Sequence, residues 1–174
     1  ASGCGSQLKA YGKLLADDLH YAARAARIAA LARDWSEVVA DAGLPASVNG
    51  QGLRIAYHAA CSLQHGQRVD APRALLVAAG FDVVQPADAH LCCGSAGTYN
   101  ILQSELAGAL RDRKLAALNA TGATVVASGN IGCLTQLAGD RLALVHSAEL
   151  LDWATGGPRP VALPATFAAP LPAA

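Results

Sequence analysis

The sequence predicts an α/β fold, a small parallel sheet with crossover helices, preceded by a purely helical stretch. Three observations carry that expectation. From Leu53 onward, short apolar runs alternate with segments of helical period. Between those runs there is no hairpin turn signal, so successive strands must be joined by crossovers and lie parallel. Before a stop at Gly43-Leu44-Pro45 the chain is Ala/Leu/Arg-rich and reads as successive helical segments.

Taken in order, residues 8–15 and 18–32 form the first helical segments, with Asp17 and Asp18 placed to favour the second start. A third segment runs through Ser36, Glu37, Val38 and Val39 to a stop at Gly43-Leu44-Pro45. The polar stretch 47–52 then marks a boundary, which separates a helical unit, 1–46, from an α/β unit, 53–155. Within the second unit we expect strands at 53–58, 81–85, 124–127 and 142–145. Helices are expected at 71–79 (closed by Gly80), 98–118, 131–138 and 148–153. The tail, 156–174, is Pro/Ala/Gly-rich and is expected to be extended or disordered.

Hydrophobic residues make up 53% of the 174 and charged residues only 15%, which excludes a disordered chain and requires a buried core. Thirteen basic residues balance thirteen acidic ones without a basic run, which argues against a nucleic-acid groove or an anionic membrane surface. Charges interrupt every apolar stretch, so no membrane-spanning segment is expected. Five cysteines, two of them adjacent, suit a reducing cytoplasmic setting better than a disulfide framework.

An internal echo bears on the organisation. Gly3-Cys4-Gly5-Ser6-Gln7-Leu8 and Gly132-Cys133-Leu134-Thr135-Gln136-Leu137 share the pattern Gly-Cys-x-x-Gln-Leu. A second echo relates Asp34-Trp35-Ser36-Glu37 to His146-Ser147-Ala148-Glu149. Residues 1–46 are therefore expected to be the end of a first copy of a unit whose second copy follows complete. With no methionine in the chain, this is expected to be the carboxy-terminal piece of a longer protein. Cys4 would then belong to a separate, first-copy site.

The remaining cysteines fall after successive strands: Cys61 after the first, the pair Cys92-Cys93 after the second, Cys133 after the third. Loops beyond the carboxyl ends of parallel strands share one edge of the sheet, so the four thiols should face one crevice. Thiolates select zinc, copper(I) or iron–sulfur clusters. A single zinc ion does not readily take both members of an adjacent pair, whereas a cluster with several iron atoms can. Inert buried cysteines and a thiol–disulfide switch are the competing readings. His58, His65 and His90 flank the thiols and are read as hydrogen-bonding neighbours rather than ligands. Tyr99-Asn100 is read as helix-start packing. No Ser/His/Asp triad, phosphate loop or dinucleotide fingerprint is present.

His58-Ala59-Ala60-Cys61, Leu91-Cys92-Cys93-Gly94-Ser95-Ala96-Gly97-Thr98-Tyr99 and Gly129-Asn130-Ile131-Gly132-Cys133 together resemble the cysteine-rich CCG domain. This domain occurs in heterodisulfide reductases, in lactate-utilisation iron–sulfur proteins and in glycolate oxidase iron–sulfur subunits, and the loop wording looks most like the last. The resemblance implies that 53–155 is a second CCG domain and that 1–46 ends a first. The family pattern can close with Cys-x-x-Cys, but Asn130 stands at the first of those positions here. That leaves Cys61, Cys92, Cys93 and Cys133 to hold a four-thiolate [4Fe–4S] cluster rather than a five-cysteine, non-cubane one. The resemblance further implies an electron-transfer subunit of a glycolate oxidase complex, fed by a flavoprotein subunit whose FAD oxidises glycolate to glyoxylate. An upstream ferredoxin-like domain, peripheral association with the inner face of the cell membrane, and no activity of this piece in isolation are implied with it. A lactate-oxidising complex and a heterodisulfide-reductase-like redox domain are the alternatives. A colourless zinc or thiol scaffold is the non-enzymatic one.

Overall fold

A computed structural model of the chain describes residues 1–139 and 141–167. Three helices, α1 (Ser2–Leu14), α2 (Ala22–Leu31) and α3 (Trp35–Ala42), precede a four-stranded sheet of β1 (Arg54–Tyr57), β2 (Asp82–Val84), β3 (Val125–Ser128) and β4 (Ala143–His146). The later helices are α4 (Ala71–Ala78), α5 (Tyr99–Leu102), α6 (Ser104–Asn119), α7 (Ile131–Leu137) and α8 (Ser147–Ala154). The strand order is β2-β1-β3-β4 and every pairing is parallel. The expected fold class is therefore observed.

Side chains along a strand alternate between faces, and here both faces are covered. Ile55, Tyr57, Val125, Ala127 and Val145 pack with Leu75 and Leu76 of α4 and with Leu150, Leu151 and Trp153 of α8. Ala56 and Val126, on the opposite face, pack with Leu115 and Leu118 of α6 and with Cys133 and Leu137 of α7. The β1-to-β2 connection thus crosses one face through α4, and the β2-to-β3 connection crosses the other through α6. Those two connections place β2 and β3 on opposite sides of β1, which opens a crevice at the carboxyl ends of β1 and β3.

The helical stretch packs onto the sheet unit. The Ser2 N–H donates to Gly129 O (3.3 Å), Gln67 Nε2 donates to Ser2 O (2.9 Å), and Ser6 Oγ donates to Ser62 O (3.0 Å). These bonds seat the amino end of α1 against the loop after β3 and against a π-helical turn, Ser62–Gln67. The two segments related by the first sequence echo therefore face each other, each beginning a helix. The second echo is conformational as well. Asp34 caps α3 and His146 caps α8, each in a capping box closed by a glutamate three residues on, Glu37 and Glu149.

Several expectations are corrected. The first helix starts at Ser2 rather than at residue 8, because its first turn is held by the loop after β3. The second starts at Ala22, since the Asp18 carboxylate instead accepts the N–H groups of His20 and Tyr21, both at 2.8 Å, and so holds a turn. The helix expected over 98–118 is two helices, broken at Gln103 with φ −130° and ψ 54°. The π-helical turn after Cys61 was not expected, and Arg68 ends it in the left-handed region. The tail is not extended over its described part, because Leu163 is buried in the core beside Trp153 and Arg159 Nη1 donates to Leu163 O. The rest of the expected tail, 168–174, lies outside the described residues.

Candidate metal centre

Three strand ends build the site. Cys61 follows β1 at the mouth of the π-helical turn, Cys92-Cys93 lie in the loop after β2, and Cys133 stands in the first turn of α7, where its N–H donates to Asn130 O (3.0 Å). All four line one cavity of about 410 Å³ at the carboxyl edge of the sheet. Ser95, Asn130 and Gly132 line it as well, and Ala1, Gly3 and Cys4 of the amino end reach it. Cys93 and Cys133 are buried, Cys61 and Cys92 half-buried, and all are free thiols.

The sulfurs form a chain of contacts in the order Cys61, Cys92, Cys93, Cys133. Each outer pair shares one proton. The S–H of Cys61 holds Cys92 as a thiolate, helped by Cys93 and by the Gly94 N–H at 3.3 Å, and brings its pKa down to about 2. Cys93 donates to Cys133 and, with His58 and the Asn130 Nδ2 at 3.5 Å, lowers Cys133 to about 5. Cys61 and Cys93 are pushed up, first by the thiolates that accept from them and then by burial. The arrangement is a preformed anionic sulfur cluster.

In the reduced, metal-free protein Cys92 should therefore react first with iodoacetamide at pH 6, ahead of Cys61 and Cys93. Thiolate is the nucleophile, and an ordinary thiol holds well under ~1% of it at that pH. Peptide mapping of the labelled protein checks this, and equal labelling of Cys61 and Cys92 would contradict the shared-proton geometry.

His58 lies beneath the sulfurs. It follows β1, donates its backbone N–H to Ala127 O (2.9 Å) and is 1% exposed. One of its ring nitrogens lies within 4.8 Å of both Cys93 Sγ and Cys133 Sγ, yet neither ring nitrogen has a hydrogen-bond partner of ordinary geometry. A buried imidazole without partners costs about 1–3 kcal/mol per group. A sulfur-ligated metal group would bring the negative charge and acceptor sulfurs that this ring lacks, so the residues present fit such a group.

Two glycines let the walls approach. Gly94 has φ +90°, and a Cβ there would overlap the backbone carbonyl oxygen of Ala107 and lie 3.2 Å from its Cα. A Cβ on Gly132 would meet Ser95 Oγ at 2.9 Å. Asn130, unassigned from the sequence beyond its place in the motif, is a donor to Cys133, a role that a carboxamide two residues before a Gly-Cys pair can signal.

The other expected neighbours stand apart. His65 is exposed, its Nε2 paired with His90 O at 3.0 Å, and His90 is exposed as well. Tyr99 opens α5, and Asn100 Nδ2 donates to Gln136 Oε1 (3.1 Å), tying α5 to α7. Cys4 is exposed on the first turn of α1 at the rim of the same cavity, outside the chain of sulfur contacts.

Residues 55–138 match the family described as CCG, the cysteine-rich domain. The chain is 37% identical over 156 residues to the glycolate oxidase iron-sulfur subunit of Escherichia coli, an alignment that covers 88% of this chain and 38% of that protein. It is 33% identical over 171 residues to the probable glycolate oxidase iron-sulfur subunit of Bacillus subtilis, covering 90% and 38%. It is 28% identical to lactate utilization protein A of Geobacillus kaustophilus, covering 87% and 67%. The chain thus spans well under half the length of the two glycolate oxidase subunits.

Proposed function

Residues 55–138 belong to the cysteine-rich CCG domain family, and from that premise we propose that the chain is the electron-transfer part of the iron–sulfur subunit of a glycolate oxidase complex. The observation that carries the reading is the unbroken chain of four sulfurs gathered from three strand ends at the topological switch point. Similarity to two glycolate oxidase iron-sulfur subunits supports it.

Cys61, Cys92, Cys93 and Cys133 hold a [4Fe–4S] cluster in this reading. Such a group supplies one-electron steps between a two-electron flavin and an acceptor. The chain's own contribution is to gather the thiolates, to bury two of them, and to aim Asn130 Nδ2 and the Gly94 N–H at Cys133 and Cys92. Glycolate and FAD belong to a partner flavoprotein, and a ferredoxin-like domain belongs to the longer polypeptide. Contact with the inner face of the membrane would run through the complex, because no helix among the described residues is long and apolar enough to cross one. We keep Cys4 out of the four-sulfur set and assign it to a first-copy site, with 1–46 as the end of that copy. Relatives named for lactate utilisation favour, as a second reading, the same relay in a lactate-oxidising complex.

Anaerobic reconstitution with iron and sulfide tests the reading. About four iron and four sulfide per chain, with a brown chromophore bleached by dithionite, is expected. Tight binding of one zinc without sulfide, and no chromophore, would overturn it.

A further inference from the structure

Lys114 is a buried cation beside this centre. Helix α6 presents its neighbour Arg113 to solvent, and Arg113 Nη2 pairs with the Asp88 carboxylate at 2.6 Å. Lys114 itself is 2% exposed, and its Nζ donates to the backbone oxygen of Asp88 at 2.8 Å. The nearby carboxylate is thus engaged elsewhere. The other charged side chain among the buried described residues, Asp34, caps α3 through Ser36. Taking an ammonium out of water costs several kcal/mol, so a nearby negative charge is needed to offset it. Lys114 lines a narrow cleft together with Cys92, Asp88 and Leu91, behind the sulfur cavity. Burial lowers its pKa, and the fields of Cys61 and Cys93, followed by those of Asp88 and Cys92, oppose the burial.

We infer that Lys114 is the fixed counter-charge of the thiolate centre, a positioning residue that raises the reduction potential of the metal group held there; this rests on the iron–sulfur reading above. Thiolate ligation makes the centre anionic, and adding an electron makes it more so. A positive charge held in a low-dielectric flank favours the reduced form over the oxidised one. The exposed Arg113 on the same helix cannot act in this way, because Asp88, solvent and salt screen it. The lysine therefore acts on the metal group through space, without ligating it.

The test uses the reconstituted chain and its midpoint potential, measured by dye-mediated titration with spectroscopic detection. Lys114→Gln keeps a donor for Asp88 O and removes the charge, Lys114→Met removes both, and Lys114→Arg keeps the charge. Gln and Met are expected to lower the potential by on the order of tenfold in the reduction equilibrium, about 59 mV for a one-electron couple. Arg should stay close to the parent. A Gln variant with the parent potential, while its chromophore and iron content are intact, would overturn the role of Lys114 and leave the relay reading standing. A parent chain that forms no iron–sulfur chromophore would sink the relay reading itself, and this inference with it. Should Met fail to fold, Gln against Arg decides alone.

Discussion

Replacing Cys93 by Ser is expected to lower electron delivery to an external acceptor by roughly two orders of magnitude or more while the partner flavoprotein still reduces its flavin with glycolate. Cys93 is the inner link of the sulfur chain, in contact with both Cys92 and Cys133 and 1% exposed. Serine nearly keeps its shape and can still donate a hydrogen bond, so the fold should survive. A hard hydroxyl is nonetheless a poor substitute for a soft thiolate on iron. Stopped-flow flavin reduction and steady-state acceptor reduction on one preparation separate the two steps. Loss of flavin reduction in a correctly assembled Cys93→Ser complex would show that this chain takes part in the substrate chemistry, and the relay would have to be abandoned.

Gly94→Ala should be the most damaging of the small substitutions around the site. The left-handed conformation of Gly94 costs a β-carbon about 1–2 kcal/mol. The overlap with the Ala107 backbone adds roughly 1–3 kcal/mol, since α6 cannot yield without disturbing Leu115 and Leu118 in the core. The expected loss in melting temperature is roughly 5–15 °C. Iron retention should fall further than stability does, because the Gly94 N–H bonded to Cys92 Sγ must move with the loop. Gly97→Ala is the control. Gly97 also has positive φ, at +66°, but a Cβ there meets nothing within 4 Å, so only the conformational strain is incurred. Equal melting shifts in the two variants would show that the close contact with α6 is unimportant.

How far the site can be read before folding depends on the residue. Cys61, Cys92, Cys93 and Cys133 are legible because strand ends of a parallel sheet collect at one edge, whatever the details of packing. Lys114 leaves a trace: with Ala107, Leu115 and Leu118 it lies on the buried face of α6, a cation within an apolar stripe. That trace is masked because Arg111, Asp112 and Arg113 immediately precede it in a run of charges. His58 reads as a neighbour of the thiols, but its burial and its unpartnered ring are not foreseeable, since both follow from what β3 and α7 place over it. The break at Gln103 and the π-helical turn escape the sequence for a related reason. Each is a local departure from helical period imposed by contacts with distant segments, Gln136 for α5 and Ser2 for the turn.

The amino-acid order by itself determined the alternation of strands and helices, the parallel sense of the sheet, the four thiols at its carboxyl edge and the family to which 55–138 belong. Periodicity and short motifs are local properties, and they survive without knowledge of the partner segments. Only the tertiary structure decided that α1 closes the rim of the cavity, that the four sulfurs are joined into one coupled chain, and that one imidazole and one ammonium are sealed beside them. Burial and charge coupling are sums over residues far apart in the chain, as when Asp88 O takes the Lys114 ammonium across 26 positions, and they acquire a value only when packing has excluded water from the space between them.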